Sequence, residues 1–399
     1  MAFESVGRYR LHRKLANGNM GEVFLAEYAG EVSFRRYVVV KRLFAHLAHH
    51  PEAVRMFQEE AHTLAQLNHP NIPQVYDLGF TDGHWYIAME HVPGHTLAEL
   101  CAAGARGLVP LTLDVTVAAL EQLCDALHHA HERNDPEGKP LRIVHRDVTP
   151  TNLMITPDGY AKLLDFGVAH STRDGSRAGE VRGTLAYMAP EQVRGQRLDK
   201  RSDVFAVGVM LYELTTGRRL FYGGEVEVMT SIVERDVTPP SEWVQGYPAE
   251  LEQIVLTALA RDRSKRYPSA HHLCRDLEDY VASHGMIATH QTLARYYAQV
   301  FTEDERRERG SGAFRAIRPV ELTPTTLDAR AAQNTSVNVL MGPSLIVESG
   351  ALEDLQSLRG QPPSEHALPH DAPYPLHLPG GDELFHDNSP PLVLSRPKK

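Results

Sequence analysis

Two short elements in the middle of the chain constrain its fold more than any other feature. The first is His145-Arg146-Asp147-Val148-Thr149-Pro150-Thr151-Asn152, and Asp165-Phe166-Gly167 begins thirteen residues after its last member. Asp147 can accept a hydroxyl proton, while Asn152 and Asp165 offer oxygen atoms to a divalent metal ion. This spacing suits metal-assisted phosphoryl transfer. The longer element carries more weight, because tripeptides often recur by chance.

A glycine-containing turn lies near the N-terminus. It joins two strand-like runs, Tyr9–Leu15 and Glu22–Tyr28, and contains Gly18 and Gly21. Glycine lets backbone amides approach phosphate oxygens closely, so the turn is a candidate phosphate-covering loop. A plain hairpin turn is the alternative if the loop is read alone.

Together these elements resemble the eukaryotic-type (Hanks-type) protein kinases, serine/threonine branch. The resemblance covers roughly residues 8–282, and the loop His-Arg-Asp-Val-Thr-Pro is similar to that of soluble myxobacterial kinases. It implies an α+β, bilobal protein-kinase fold, in which a small antiparallel-sheet lobe precedes a larger helical lobe. It also implies ATP and Mg²⁺ as cofactors, with Mn²⁺ as an alternative. The implied activity is phosphorylation of Ser or Thr hydroxyls of protein substrates, with autophosphorylation.

The resemblance also divides the chain. We expect the protein kinase domain over residues 1–283, with the small lobe at 1–90 and the large lobe at 93–283. A nucleotide is expected between the two lobes.

The C-terminal part should differ from the kinase domain. An apolar stripe at helical spacing predicts a helical extension over 284–309, docked on the large lobe or, alternatively, free to bind a partner. Residues 310–399 contain twelve of the 26 prolines and are expected to form a disordered, Pro-rich tail. The cluster Thr323-Pro324-Thr325-Thr326 is a candidate autophosphorylation site that would recruit a phosphothreonine-binding domain of the forkhead-associated kind.

The nucleotide site is implied by family position. Ala16 replaces the first glycine of the pattern Gly-x-Gly-x-x-Gly-x-Val, and Val39 replaces the alanine that faces adenine. Met89 should be the gatekeeper, while the carbonyl of Glu90 and the amide of Val92 read the adenine edge. The residues implied for nucleotide binding are Leu15, Ala16, Asn17, Gly18, Asn19, Met20, Gly21, Val23, Val39, Lys41, Met89, Glu90, Val92 and Met154.

Lys41 closes Val38-Val39-Val40-Lys41, which is close to the family's Val-Ala-Ile-Lys. The resemblance implies that its ammonium contacts phosphates and pairs with a helix carboxylate. Glu59 and Glu60 compete for that place, since only one of two adjacent helical residues can face the sheet. Glu60 aligns better with the family, and Glu59 is then a solvated charge. The implied catalytic set is Asp147, Lys41, Glu60, Asn152 and Asp165, with Asn152 and Asp165 as metal ligands.

Other residues are expected to shape the site. His145 should pack under Phe166, Asp203 should cap the loop backbone, and Glu191 should pair with Arg266. The structural set implied by the family is His145, Phe166, Gly167, Glu191, Asp203 and Arg266.

Thr149 is the clearest departure from the family, which usually has lysine there. Threonine can form hydrogen bonds but brings no positive charge to the γ-phosphate. Because similar loops with Ser or Thr at this position occur in the myxobacterial kinases that the chain resembles, Thr149 is compatible with activity at a lower rate. It also leaves serine/threonine or dual specificity open.

The resemblance implies an activation segment from Asp165 to Ala189-Pro190-Glu191. Gly183 and Thr184 match the family's substrate-docking turn, and Arg146 can pair with a phosphate. Glu180 either imitates a phosphate toward Arg146 or is an ordinary loop acid. Candidate phosphorylated residues are Ser171, Thr172 and Ser176.

Composition excludes several other functions. The net charge of −10 argues against a general nucleic-acid binder. Three distant cysteines favour a reducing compartment over a disulfide framework. The first residues lack a basic region and an apolar run, and no window reaches about 18 consecutive apolar residues. We therefore expect a cytoplasmic protein with no signal peptide and no membrane contact.

Histidine is abundant, with 22 residues. The clusters are His46-x-x-His49-His50, His128-His129-x-His131 and His271-His272. None is accompanied by cysteines at zinc-binding spacing, so we expect solvated helix faces and loop ends rather than a metal site.

Two other functions remain open. A pseudokinase or scaffold is favoured by the departures at Ala16, Val39 and Thr149. It is opposed by the complete catalytic set Lys41, Glu60, Asp147, Asn152 and Asp165. A kinase for small molecules such as choline would use the same kind of catalytic loop. It would not need the segments Gly183-Thr184 and Ala189-Pro190-Glu191, which serve peptide docking.

Overall fold

The computed structural model of the protein describes residues 4–18, 20–29, 35–166, 185–310 and 376–377. Within these residues the chain forms a small sheet-rich lobe and a larger helical lobe, so the expected α+β architecture is confirmed. Among the described helices, none combines the length and the apolar character needed to cross a lipid bilayer.

The small lobe is an antiparallel sheet covered by one helix. The strands are β1 (Ser5–Val6), β2 (Tyr9–Asn17), β3 (Gly21–Ala29), β4 (Arg35–Leu43), β5 (Val75–Thr81) and β6 (His84–Glu90), and the helix is α1 (Pro51–Ala65). The spatial order of the strands is β1-β2-β3-β4-β6-β5.

Alternation along β4 positions the site. Val38 and Val40 are buried in one apolar cluster, whereas Leu43 lies in a second cluster with Phe57 of α1. Successive strand residues point to opposite faces of a sheet. Lys41 therefore shares the face of Leu43, which α1 covers.

The large lobe is mainly helical. Its short strands are β7 (His95–Thr96), β8 (Leu111–Thr112), β9 (Leu153–Ile155) and β10 (Ala161–Leu163), and β11 (Leu376–His377) pairs in parallel with β8. Its helices are α2 (Leu97–Arg106), α3 (Leu113–His131), α4 (Pro190–Val193), α5 (Arg201–Thr216), α6 (Glu225–Glu234), α7 (Ala249–Ala258) and α8 (Ala270–Ser283). Two more helices follow, α9 (His290–Val300) and α10 (Glu303–Gly310).

Helix α5 forms the centre of this lobe. Every side chain from Ser202 to Thr216 is buried. A helix that is buried all round cannot lie at a surface, so the neighbouring helices pack around it. A hairpin closed by a bridge between Asn134 and Pro140 follows α3.

Helices α3 and α8 pack closely and bring acidic groups together. Burial, with Glu278 and Asp125 nearby, raises the pKa of Glu121 to about 7. The folded state therefore disfavours the ionised form of Glu121.

We expect Glu121→Gln to raise the free energy of unfolding at pH 8 by about 1–2 kcal/mol, after allowance for partial exposure. The pKa is raised on folding, so the destabilisation is present above pH 7 and disappears as the pH falls toward the unfolded value of 4.5. Urea denaturation at pH 8 and pH 5 measures this. The exposed Glu137→Gln is the control, and an equal effect at both pH values would contradict the assignment.

Candidate active site

Lys41 and Glu60 form an ion pair between β4 and α1. The Nζ atom of Lys41 lies 2.5 Å from Oε1 of Glu60 and 4.0 Å from Oδ1 of Asp165. Burial alone would lower the pKa of Lys41, but the two carboxylates outweigh it and raise that pKa above its usual value. The ammonium therefore stays charged beside both acidic groups.

The helical phase of α1 separates Glu60 from Glu59. Glu60 lies on the buried face of the helix, and its side chain is 5% exposed. The side chain of Glu59 is 46% exposed and pairs with Arg55, one turn away, at 2.7 Å. Glu60 is therefore the partner of Lys41, and Glu59 is the solvated charge.

Asp203, in the first turn of α5, holds the backbone of the loop over residues 145–152. Its Oδ2 accepts a hydrogen bond from the amide of His145 at 2.8 Å, and its Oδ1 accepts one from the amide of Arg146 at 2.9 Å. Burial alone would raise the pKa of Asp203, but hydrogen bonds from His131 and the backbone outweigh it and lower that pKa. The carboxylate therefore remains ionised beneath the loop.

His131 contradicts the expectation of a solvated histidine cluster. Its side chain is 0% exposed, and its Nε2 lies 2.7 Å from Oδ2 of Asp203. The two residues are 72 positions apart, so no local motif indicates this contact. One signal was available, because His131 follows Leu127 by four residues on the buried face of α3.

Asn152 orients Asp147. The Nδ2 atom of Asn152 donates to the carbonyl oxygen and to Oδ2 of Asp147, both at 2.8 Å. These bonds leave Oδ1 as the Asn152 atom that could bind a metal ion. The amide of Leu164 donates to the carbonyl of Asn152 at 2.7 Å. This bond ties the loop to the segment that carries Asp165.

Two residues of the site have a positive φ although neither is glycine. Arg146 has φ 71° and Asp165 has φ 50°. Such a backbone conformation costs about 1–3 kcal/mol and persists where the surroundings hold it. The surroundings hold Arg146 in this conformation, because its amide donates to Asp203 and its carbonyl accepts a hydrogen bond from Nε2 of Gln192 at 2.9 Å.

His145 and Phe166 pack together, with ring centroids 4.6 Å apart. Burial lowers the pKa of His145 below its usual value, so the ring is neutral at pH 7. Its Nε2 donates to the carbonyl of Leu164 at 2.9 Å, and its Nδ1 accepts from the amide of Asp147 at 3.2 Å. With both nitrogens bonded to the backbone, the ring shapes the loop.

Thr149 lies inside the loop rather than on its surface. Its exposure is 3%, and its Oγ1 lies 2.8 Å from Oγ1 of Thr151. The hydroxyl group is therefore engaged within the loop.

The glycines of the β2–β3 turn are not equivalent. A Cβ on Gly21 would overlap the carbonyl oxygen of Arg42 on β4, so the sheet itself requires glycine there. A Cβ on Gly18 would meet the carbonyl oxygen of Gly21 at 3.5 Å, an ordinary contact. Packing of the described residues therefore explains why position 21 is glycine, but it does not explain the glycine at position 18.

The remaining residues implied for nucleotide binding lie on neighbouring elements. Val23 pairs with Lys41 across β3 and β4, and Val39 pairs with Met89 across β4 and β6. Leu15, Ala16 and Asn17 end β2, Met20 precedes β3, Val92 follows β6, and Met154 is on β9.

An ion pair that sequence reasoning missed joins the two lobes at Glu90. The carboxylate of Glu90 accepts from Nζ of Lys162, on β10, at 2.9 Å, and the amide of Glu90 donates to the carbonyl of Gln74 at 2.8 Å. The 72 positions between Glu90 and Lys162 hide this contact from local patterns.

Glu191 and Arg266 form the expected buried pair. The Nη1 and Nη2 atoms of Arg266 donate to Oε1 and Oε2 of Glu191 at 2.7 and 2.9 Å. The guanidinium also donates to the carbonyls of Ala260, Arg261 and Arg201. The side chains of the pair are 0% and 3% exposed.

Several residues named from the sequence lie outside the described part of the chain. They are Asn19, Gly167, Glu180, Gly183 and Thr184, with the candidate phosphorylated residues Ser171, Thr172 and Ser176.

Comparisons with known proteins agree on one family. Residues 9–277 match the protein kinase domain. The chain is 41% identical to the tyrosine-protein kinase MasK of Myxococcus xanthus over 281 aligned residues. The aligned region covers 70% of this chain and 44% of MasK. It is 36% identical to the serine/threonine-protein kinase PrkC of Bacillus subtilis over 276 aligned residues, a region that covers 68% of this chain and 40% of PrkC. The chain thus spans less than half the length of these relatives.

A solved structure agrees with these matches. The crystal structure of the PknI kinase domain of Mycobacterium tuberculosis superposes with a TM-score of 0.52 at 26% sequence identity. The superposition covers 70% of this chain and 99% of that domain.

Proposed function

This chain belongs to the protein kinase family, and from that premise we propose that it transfers the γ-phosphoryl group of Mg-ATP to side-chain hydroxyls of proteins. The observation that carries the proposal is the Lys41–Glu60 ion pair, with Asp165 4.0 Å from the same ammonium. Such a pair positions phosphates only when the carboxylate helix is docked on the sheet, as α1 is here.

We assign the roles as follows. Asp147 accepts the proton of the attacking hydroxyl, and Asn152 holds Asp147 in place through its two hydrogen bonds. Lys41 contacts the α- and β-phosphates, and Glu60 orients the ammonium. Catalysis then depends chiefly on positioning and on charge.

The donor atoms of Asn152 and Asp165 fit a hard divalent cation. Mg²⁺ prefers oxygen ligands, and the Asn152 Oδ1 and the Asp165 carboxylate supply them. Mn²⁺ accepts the same ligand type and is the alternative. A bound cation would neutralise phosphate charge, while Lys41 adds a fixed positive charge beside Asp165.

The phosphate-covering role of the β2–β3 turn is supported by Gly18. Since packing of the described residues does not require glycine there, close approach of a phosphate is a sufficient reason for it. The adenine edge would meet the carbonyl of Glu90 and the amide of Val92, with Val39 above and Met154 below the base.

Arg146 supports regulation through the activation segment. Within the described residues, its buried Nε has no hydrogen-bond partner. A phosphate or carboxylate from the activation segment, such as Glu180, would satisfy it. Gly183 and Thr184 would dock the substrate.

The hydroxyl class is proposed to be serine and threonine, as in the name of PrkC. MasK, at 41% identity, is named a tyrosine kinase, so dual specificity is the competing outcome. Labelled Mg-ATP with the chain alone and with a general protein substrate, followed by mass mapping of modified residues, decides between them. Absence of any transfer would favour a nucleotide-binding scaffold, which the intact Lys41–Glu60 pair argues against.

We expect Thr149→Lys to leave kcat unchanged or to raise it, because an ammonium there would neutralise γ-phosphate charge. Steady-state rates with a protein substrate measure the effect. Thr149→Val is the matched control, since it removes the hydroxyl that contacts Thr151 without adding charge. A collapse of activity in both variants would mean that the hydroxyl itself is required.

We also propose that Thr323-Pro324-Thr325-Thr326, outside the described residues, is autophosphorylated and then binds a forkhead-associated domain. A chain ending at Gly310 should keep its activity toward added substrate but lose much of its autophosphorylation, because a tether raises the local concentration of the cluster. Phosphate incorporation measures this, with Thr→Val changes at 323, 325 and 326 as the matched variant. Unchanged incorporation in both would refute the proposal.

A further inference from the structure

Helix α9 begins thirteen residues after residue 277, where the match to the kinase family ends. It does not extend away from the large lobe. Leu293 and Tyr297 are 0% exposed, and Tyr296 is 4% exposed. The helix packs on α3 and on α2. An element outside the matched region is therefore built into the core.

The C-terminal end of α9 contacts β7, the strand that follows the expected adenine-reading residues Glu90 and Val92. The Nδ1 atom of His95, on β7, lies 2.7 Å from the hydroxyl oxygen of Tyr297. The rings of His95 and Phe301 stack at 3.8 Å with an interplanar angle of 10°. β7 in turn pairs with β9, with His95 opposite Ile155.

The N-terminal end of α9 contacts the turn between β9 and β10. A Cβ on Gly159 would overlap the carbonyl oxygen of His290, so glycine allows the two backbones to meet. The ring of Tyr160 stacks on that of His290 at 4.9 Å. Gln122 of α3 fixes the same turn through the carbonyl of Gly159 at 3.0 Å.

The middle of α9 contacts α2. The hydroxyl of Tyr296 donates to the carbonyl of Val109 at 3.3 Å, and a Cβ on Gly104 would overlap that hydroxyl. The first turn of α2 donates from the amide of Ala98 to the carbonyl of Pro150, within the catalytic loop, at 3.1 Å.

These contacts converge on elements that carry the nucleotide site. Asn152 directly precedes β9, Met154 is on it, and Asp165 lies two residues after β10. We propose that α9, with Phe301, is a positioning element for nucleotide: it holds β7 against the β9–β10 hairpin and so fixes the base and metal sites. This inference rests on the proposed function, because it assigns the site to nucleotide.

Displacement of α9 should weaken nucleotide binding in a particular way. If the competent arrangement is only fractionally populated, the apparent dissociation constant rises in inverse proportion to that fraction. Saturating ATP restores the competent arrangement, so kcat recovers. General loss of folded protein would instead lower kcat and leave KM unchanged.

The test uses Gly159→Ala and Gly138→Ala in the full-length chain. Both glycines have a similar positive φ, +79° and +82°, but a Cβ on Gly138 meets nothing within 4 Å. Backbone strain is thus matched, and the contact with α9 differs. We expect Gly159→Ala to raise the Mg-ATP dissociation constant and the KM for ATP by about fivefold or more, with kcat nearly unchanged. Gly138→Ala should change neither constant.

A second pair of variants gives an independent readout. Gly104→Ala should also raise the KM for ATP, although alanine favours a helix. Adding Tyr296→Phe removes the hydroxyl in the way and should restore the wild-type KM. Such a rescue is not expected if α9 contributes only to general stability.

The outcomes separate the two proposals. Equal Mg-ATP affinity in Gly159→Ala and Gly138→Ala, or a fall in kcat at constant KM, would overturn the positioning role. If the wild type binds Mg-ATP without transferring phosphate while the affinity pattern holds, the kinase proposal fails and the positioning role stands. Failure of the wild type to bind Mg-ATP overturns both.

Discussion

Replacing Asp147 by asparagine should lower kcat for phosphoryl transfer by about a hundredfold or more, because an amide cannot accept the hydroxyl proton. The hydrogen bonds around residue 147 should survive, since an amide oxygen can still accept from Nδ2 of Asn152. The Mg-ATP dissociation constant should therefore stay within about twofold of the wild-type value. Initial rates and a nucleotide titration on the same preparation measure the two effects.

The exposed Asp279→Asn on α8 is the matched control for this change, and it should leave both quantities unaltered. Two results would contradict the role given to Asp147. One is a kcat close to that of the wild type. The other is a loss of Mg-ATP binding equal to the loss of transfer, which would mean that Asp147 acts through the nucleotide site rather than on the proton.

Replacing Arg266 by methionine should lower the free energy of unfolding by about 3–5 kcal/mol. The carboxylate of Glu191 would remain buried without the two guanidinium hydrogen bonds, and three backbone carbonyls would lose a donor. Urea denaturation followed by circular dichroism measures the loss. Lys200→Met is the control, because Lys200 forms a 2.6 Å ion pair with Glu132 in which both side chains are exposed. That change should cost about 0–1 kcal/mol.

The Arg266→Met effect should also depend on pH. In the wild type, burial raises the pKa of Glu191, but Arg266 and Ser202 outweigh it and lower that pKa. The pair therefore stabilises the fold above pH 4.5, and this stability is lost as the pH falls through the folded pKa. In the variant, burial is unopposed and the pKa of Glu191 rises. The difference in stability should thus be smaller at pH 5 than at pH 8, and a difference that does not change would argue against the buried pair.

The active-site residues could be predicted from the sequence because several of them lie close together in the chain. Asp147 and Asn152 are five residues apart in one loop, so their hydrogen bonds follow from a single turn of chain. The resemblance to the kinase family implied the pairing of Lys41 with a helix carboxylate and favoured Glu60, since only one of two adjacent helical residues can face the sheet. The two-lobed α+β fold was implied by the same resemblance, and the observed elements confirm it, with the strands of the small sheet preceding most of the helices.

The residues that support the site were harder to find. Since no cysteines accompany the histidine clusters at zinc-binding spacing, His131 was predicted to be a solvated helix residue, yet it is buried against Asp203, 72 positions away. Lys162 carries no signal of its pairing with Glu90 across the lobes. Histidine and lysine are common at surfaces, so residue type alone favours exposure. The position of His131 on the apolar face of α3 was a better guide than its chemistry.

The sequence by itself determined which groups perform the proposed chemistry, their order and the faces of the strands and helices that carry them. Only the tertiary structure decided how those groups are held. His131 lies beneath Asp203, Lys162 pairs with Glu90, and α9 packs against β7, where His95 meets Tyr297, 202 positions away in the chain. The reason is physical. Local geometry follows from dihedral angles and residue spacing, whereas contacts between distant segments depend on how whole apolar faces pack together.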